Sequence, residues 1–182
     1  MNETLTELLN KVFSVLSIIS IALSILIIFV YLLKKSENNL IKSIRNLISE
    51  YNVLFAWTIA SLASIGSLFY SEISGFVPCT FCWYERIAMY PLVLVLGVGI
   101  FLKSKESWIF GFPLSAIGLI ITIYHYQLQM FPDQNSISCS TDVSCTGTWI
   151  MEFGFVTMPF MALSTFLLIS VLLLIPNIKL KK

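Results

Sequence analysis

Cys79 and Cys82 stand with two residues between them in PCTFCWYERIAMYP, and Cys139 and Cys145 with five between them in SCSTDVSCTG. Paired cysteines can hold a metal, staple a loop, or cycle between dithiol and disulfide. Spacing bears on which. A bridge across two residues closes a very small loop, and stabilisation grows with the length of loop closed, so Cys79 and Cys82 suit opening and closing better than stapling. For Cys139 and Cys145 the same argument is weaker, and that pair reads equally as a staple or a redox site. Four thiolates could also make a structural zinc site, since C-x-x-C fits both chemistries. The neighbouring cation Arg86 and an oxidising exterior favour disulfides, and no metal is expected.

On a helix, Cys79, Cys82 and Arg86 fall at i, i+3 and i+7 and share one face. Pro78 is compatible with a helix starting here. The positive end of that helix, with Arg86 one turn beyond Cys82, favours thiolate over thiol. An arginine in a membrane span costs on the order of 2.5 kcal/mol at the centre and less near the edge. It could snorkel outward with Glu85 as local counter-ion. Its register with the cysteines favours a second role, as donor to an oxidant whose oxygen gains negative charge. His125, the only histidine, lies in IYHYQLQMF at the same membrane depth, either as an interfacial polar cap or beside that acceptor. Glu152 in WIMEFGF suits the positive end of a following helix. Trp83, Tyr84, Tyr90, Tyr124, Tyr126 and Trp149 read as an interfacial belt.

The elements that must position these residues are membrane helices. Of 182 residues, 57% are hydrophobic and 12% charged, about half the charge of a soluble domain. A span needs about 20 helical residues at about 1.5 Å each. Such runs extend from Val12 to Leu33, Tyr51 to Tyr70, Cys82 to Leu102, Trp108 to Leu128 and Phe153 to Ile175, and each must be helical to pair its backbone in lipid. The first run is expected to be a retained helix rather than a cleaved signal, because Glu3 and Glu7 precede it and no Ala-x-Ala site follows. Lys34, Lys35, Lys42, Arg45, Lys103, Lys105, Lys179, Lys181 and Lys182 mark three cytoplasmic segments. The amino terminus is then outside a bacterial cytoplasmic membrane, the carboxyl terminus inside, and all four cysteines outside, where disulfides persist. Between the first two runs, Leu40, Ile41, Ile44, Leu47 and Ile48 recur at helical spacing opposite Lys42, Arg45 and Glu50, the pattern of an interfacial amphipathic helix in contact with membrane lipid. No nucleic-acid partner, internal repeat or second domain is indicated.

CTFCWYER, Cys79 to Arg86, is similar to the C-x-x-C-x-x-E/Q-R element of the DsbB/BdbC family of disulfide-forming membrane oxidoreductases. HYQLQ, the outer cysteine pair and GFVTMPFMAL, Gly154 to Leu163, resemble later parts of the same pattern. The resemblance implies an all-α, polytopic membrane protein with a four-helix core over 51–175 and outer loops at 71–80 and 129–149. An extra transmembrane helix over 12–33, an amphipathic linker over 34–50 and a cytoplasmic tail over 176–182 flank that core. It also implies a function in oxidative protein folding, the reoxidation of an extracytoplasmic thioredoxin-like thiol oxidase of the DsbA/BdbD kind. The electrons would pass to a membrane quinone, ubiquinone or menaquinone.

Carried over onto this sequence, Cys139 and Cys145 would take electrons from the partner, with Cys139 the site of the mixed disulfide. Cys145 would then exchange with Cys79, and Cys82 would face the quinone with Arg86 and His125 near its ring oxygen. The polar loop from Gln129 to Trp149 has reach for this, at about 3.3 Å per extended residue. The first helix and linker lie outside the pattern and have no assigned role. The loop pair is closer together than in the enterobacterial form and resembles the BdbC type, so the exchange order is not carried over in detail. A vitamin K epoxide reductase-like enzyme would carry its C-x-x-C after the loop pair, whereas here it comes first. A non-catalytic membrane scaffold or a metal transporter would use the cysteines as staples.

Overall fold

A computed structural model describes residues 2–33, 39–104, 106–134, 139 and 143–178. Lys34, Lys35, Lys105, Lys179, Lys181 and Lys182, which carry much of the orientation argument, lie outside these residues. Among the described residues there are five long helices, α1 (Asn2–Leu32), α2 (Asn39–Leu68), α3 (Thr80–Phe101), α4 (Ser107–Met130) and α5 (Met158–Ile178). A π-helical turn, Phe69–Ile73, continues α2. All five helices are long and apolar enough to cross a membrane, and the chain is an all-α, multi-pass membrane protein.

α5 is the centre of the bundle. Half of its apolar window is buried, against 22–33% for the other four, and α4, α1 and α2 all pack on it while α3 packs between α2 and α4. Phe166, Ile169 and Leu173 of α5 meet Leu92 and Leu96 of α3 and Ala56 and Ala60 of α2 in one buried cluster. The α4 face that enters the bundle is made of small residues, Gly111, Ser115, Gly118 and Thr122, spaced one helical turn apart. This lets backbones approach closely where lipid supplies no hydrophobic drive for helix association. Gly118 takes the Phe166 ring directly against its backbone, leaving no room for a Cβ. Ser170 donates to Ser115 at 3.0 Å across the same seam. The outward faces carry side chains such as Leu94, Phe101 and Ile120, with Phe101 86% exposed, a surface whose solvent is lipid.

Three local expectations change. α1 begins at Asn2 rather than Val12, because the polar lead-in also winds into the helix and its Glu7 and Lys11 pair at 2.9 Å one turn apart. The amphipathic segment 40–48 is not a separate interfacial helix. It is the first part of α2, since no Gly or Pro interrupts the chain from Asn39 to Ile65. α5 starts at Met158, not Phe153, because Glu152 and Val156 exchange two backbone hydrogen bonds of 2.9 Å around a tight turn. Phe153 and Gly154 adopt positive φ there, so Glu152 does not cap α5.

Gly118→Leu would drive a side chain into the Phe166 ring, and overpacking of this kind costs about 1–3 kcal/mol. The thermal midpoint of the detergent-solubilised protein is expected to fall, while Ile120→Leu on the outward face leaves it unchanged.

Candidate active site

The site begins with the way α3 starts. Cys79 is its N-cap residue, in extended backbone conformation, and its sulfur accepts from the backbone N–H of Cys82 at 3.3 Å. A helix amino terminus leaves N–H groups without partners and concentrates positive charge. Here a sulfur fills the position that a serine or aspartate oxygen normally takes. The sulfurs of Cys79 and Cys82 are adjacent, 2.7 Å apart, and are not bridged.

His125 of α4 lies behind Cys79. It is 1% exposed, with Nε2 at 3.5 Å from the Cys79 sulfur and Nδ1 at 2.7 Å from a carboxylate oxygen of Glu85. With Nδ1 donating to Glu85, the other ring nitrogen is presented to the sulfur. Phe81 covers the imidazole at a ring-centroid distance of 5.5 Å. Cys79, Cys82 and His125 form a set of three possible metal ligands. Cys79 itself, just before the membrane-spanning part of α3, is held below the ordinary thiol range. The hydrogen bond from Cys82 is the largest cause, and contact with His125 acts in the same direction against the opposing effect of burial.

Arg86 turns the other way. Its Nε donates to Ser67 Oγ and a terminal nitrogen donates to the Ser67 carbonyl, both at 3.0 Å, and the guanidinium stands 5.1 Å from the Trp83 ring centre. The snorkelled pair with Glu85 is therefore not formed, since Glu85 is committed to His125. Arg86 and Cys82 line a cavity of about 290 Å³ between α1, α2, α3 and α5. Tyr70 of the π turn, Phe76 and Trp149 stack along one edge of it, with centroid separations of 5.7 and 5.0 Å. Among the described residues, the buried hydroxyls of Tyr70 and Tyr90 have no hydrogen-bond partner, and both tyrosines line the cavity.

The loop pair is joined as a Cys139–Cys145 disulfide. Cys145 is 1% exposed and shares a buried cluster with Cys79, Phe81 and Leu128, with Cys139 at its margin. Gln129 donates to the Gly147 carbonyl at 2.9 Å and ties the loop to the end of α4. All four cysteines thus gather at one end of the bundle. Of the residues singled out from the sequence, Cys79, His125 and Cys145 come together on one side of α3, and Cys82 and Arg86 line the cavity on the other. His125 is not on the cavity wall. Sequence reasoning missed Glu85 as the partner of His125, and read Tyr90 and Trp149 as belt residues although both line the cavity.

A sulfur pair set for opening and closing, met inside a membrane bundle by a second pair already bridged, defines an integral-membrane thiol–disulfide oxidoreductase. Residues 50–175 match the family described as "Disulfide bond formation protein DsbB". The chain is 44% identical over 136 residues to "Probable disulfide formation protein C 2" of Bacillus anthracis, a match covering 75% of this chain and 97% of that protein. It is 44% identical over 117 residues to "Disulfide bond formation protein C" of Bacillus subtilis (strain 168), covering 64% of this chain and 85% of that protein. A third relative, "Probable disulfide formation protein" of Oceanobacillus iheyensis, is 44% identical over 127 residues, covering 68% and 87% respectively. No solved structure matches the chain. The chain belongs to the DsbB family of disulfide bond formation proteins.

A lowered pKa keeps Cys79 reactive in acid. At pH 6 an ordinary thiol of pKa about 8.5 is less than about 1% thiolate, yet the Cys79 peptide of the reduced protein should still be alkylated by iodoacetamide. His125→Ala removes one of the lowering influences, so the midpoint of the alkylation profile is expected to move to higher pH. A profile that does not move would detach His125 from the sulfur chemistry.

Proposed function

We propose that this protein takes electrons from a reduced thioredoxin-like thiol oxidase outside the cytoplasmic membrane and delivers them to a membrane quinone through its two cysteine pairs. One observation carries the reading: the Cys79–Cys82 pair has two different neighbours. Cys79 is a member of the cluster that holds Cys145, with Cys82 packed at its margin, while Cys82, the one cysteine on the cavity wall among the described residues, also faces a site large enough for a ring compound. The basic residues Lys42, Arg45 and Lys103 lie at the end of the bundle away from the cysteines, which supports an extracytoplasmic placement of the sulfurs.

Cys139 is the more accessible sulfur of the loop pair, at intermediate burial against 1% for Cys145. A partner thiolate attacks it, forms a mixed disulfide and releases Cys145 as thiolate. The second partner thiol then resolves that bond, leaving the partner oxidised and the loop pair as a dithiol. Cys145 next attacks a Cys79–Cys82 disulfide, and the loop bridge reforms as two electrons and two protons pass to the inner pair. Cys79 is stabilised as thiolate by the α3 terminus, and His125, fixed by Glu85, accepts and returns the proton at its sulfur.

The cavity fits a quinone on its own chemistry. Two buried hydroxyls without partners, a fixed guanidinium and mostly apolar walls, with the Glu85 carboxylate and a few serine hydroxyls among them, suit a flat ring with polar oxygens. A bound quinone would supply the two-electron, two-proton sink that restores the Cys79–Cys82 disulfide. Arg86, Tyr70 and Tyr90 would hold its oxygens, and the Tyr70, Phe76 and Trp149 stack would shield the site from water.

Purified protein mixed with a reduced thioredoxin-like dithiol and either ubiquinone or menaquinone is expected to reduce the quinone, followed by its ultraviolet absorbance. Cys79→Ser and Cys82→Ser should each abolish turnover, and Arg86→Gln should raise KM for quinone by roughly tenfold or more, as loss of a charged hydrogen bond of about 1.5–3 kcal/mol requires. No turnover with either quinone would overturn the reading in favour of cysteines acting as staples or metal ligands.

A further inference from the structure

α1 lies outside residues 50–175, the part of the chain that matches the family, yet it is built into the cavity. It packs along α5 and touches α2 only marginally. At the cysteine end Thr6 and Ser74 hydroxyls are 3.0 Å apart, and the Phe13 ring lies 5.9 Å from Tyr70 and against Gly66, where a Cβ would come within 3.2 Å of it. Near the other end the Tyr31 hydroxyl donates to the Arg45 carbonyl at 3.2 Å. Between these ties Phe13, Leu16, Ser17 and Ser20 line the cavity.

The two serines matter for what they leave open. Ser17 donates to the Ser14 carbonyl at 2.7 Å and Ser20 to the Leu16 carbonyl at 2.8 Å, so both hydroxyls are satisfied within α1. Toward the cavity α1 therefore presents two short side chains beside the larger Phe13 and Leu16, with Cys82, Arg86 and Tyr90 of α3 lining the same space. Without α1 that space would open to lipid between α2 and α5.

Resting on the quinone reading above, we propose that α1 is a wall of the acceptor site, and that Phe13, Ser17 and Ser20 select the lipid-soluble acceptor by limiting the width available to its ring. The polar contacts belong to α3 and the π turn, and α1 sets the shape. A bulky residue at either serine removes binding volume that ground state and transition state share, so it raises KM rather than lowering kcat.

The test uses the full-length protein in detergent with an azido-substituted naphthoquinone carrying a short isoprenoid tail. After illumination, peptide mass spectrometry is expected to find adducts on residues 13–20 of α1 as well as on α3. Ser20→Phe should raise KM for menaquinone about tenfold, equivalent to about 1.4 kcal/mol, with a much smaller change in kcat. Ile19→Phe, on the outward face of the same helix, should change neither. Adducts on α3 without any on α1 would overturn this proposal and leave the quinone site standing. Absence of adducts anywhere on the cavity wall would overturn both. The adduct map of the unaltered protein decides the matter even if a variant does not fold.

Discussion

The 2.7 Å contact between Glu85 of α3 and His125 of α4 is the constraint on which the rest of the site depends. Both groups sit in membrane-spanning helices, where a polar side chain without a partner is costly and water is not at hand to supply one. Each satisfies the other, and the helices that carry them are thereby locked in one rotational setting. That setting puts the imidazole behind Cys79 and leaves Arg86, one residue further along α3, facing α2. Glu85 also lines the cavity beside Cys82 and Arg86, so the residue that holds His125 is shared by both sides of α3. The hydrogen bond from Arg86 to the Ser67 carbonyl fixes the second side as firmly as Glu85 fixes the first.

The C-x-x-C pair lies on the line between those sides. Its first sulfur caps the helix and belongs with the loop disulfide, and its second opens on the cavity. A separation of three residues keeps the sulfurs adjacent while aiming them at different neighbours. This also explains why the buried small-residue face of α4 matters to the chemistry. Close approach of α4 to α5 at Gly118 brings the outer end of α4, with His125 and the loop that follows, over the start of α3.

Much of this was legible in the sequence for physical reasons. Apolar length alone marked the five spans, and the C-x-x-C at the head of one of them, followed by Arg86, marked the redox end. What stayed hidden depends on how helices turn against one another. Sequence order offers Glu85 only as a local counter-ion for Arg86, the less favoured reading of that arginine, although i and i+1 side chains diverge on a helix. The offset of three between Cys82 and Glu85 was the available signal. Tyr90 and Trp149 were assigned to the interface on residue type, and no single-sequence pattern separates an aromatic facing lipid from one facing an internal space. The continuity of segment 40–48 with the second span was readable in the lack of any Gly or Pro, but amphipathic patterning argued for a helix lying flat.

A cavity among spanning helices, flanked by an α1 that barely touches α2, has a consequence for how its occupancy is counted. A lipid-soluble molecule that entered it from the bilayer would fill it according to its mole fraction among lipids and not its amount per litre of water. Enlarging the pool of lipid or detergent at a fixed total quantity empties the site, while diluting the whole suspension with buffer leaves it as full as before.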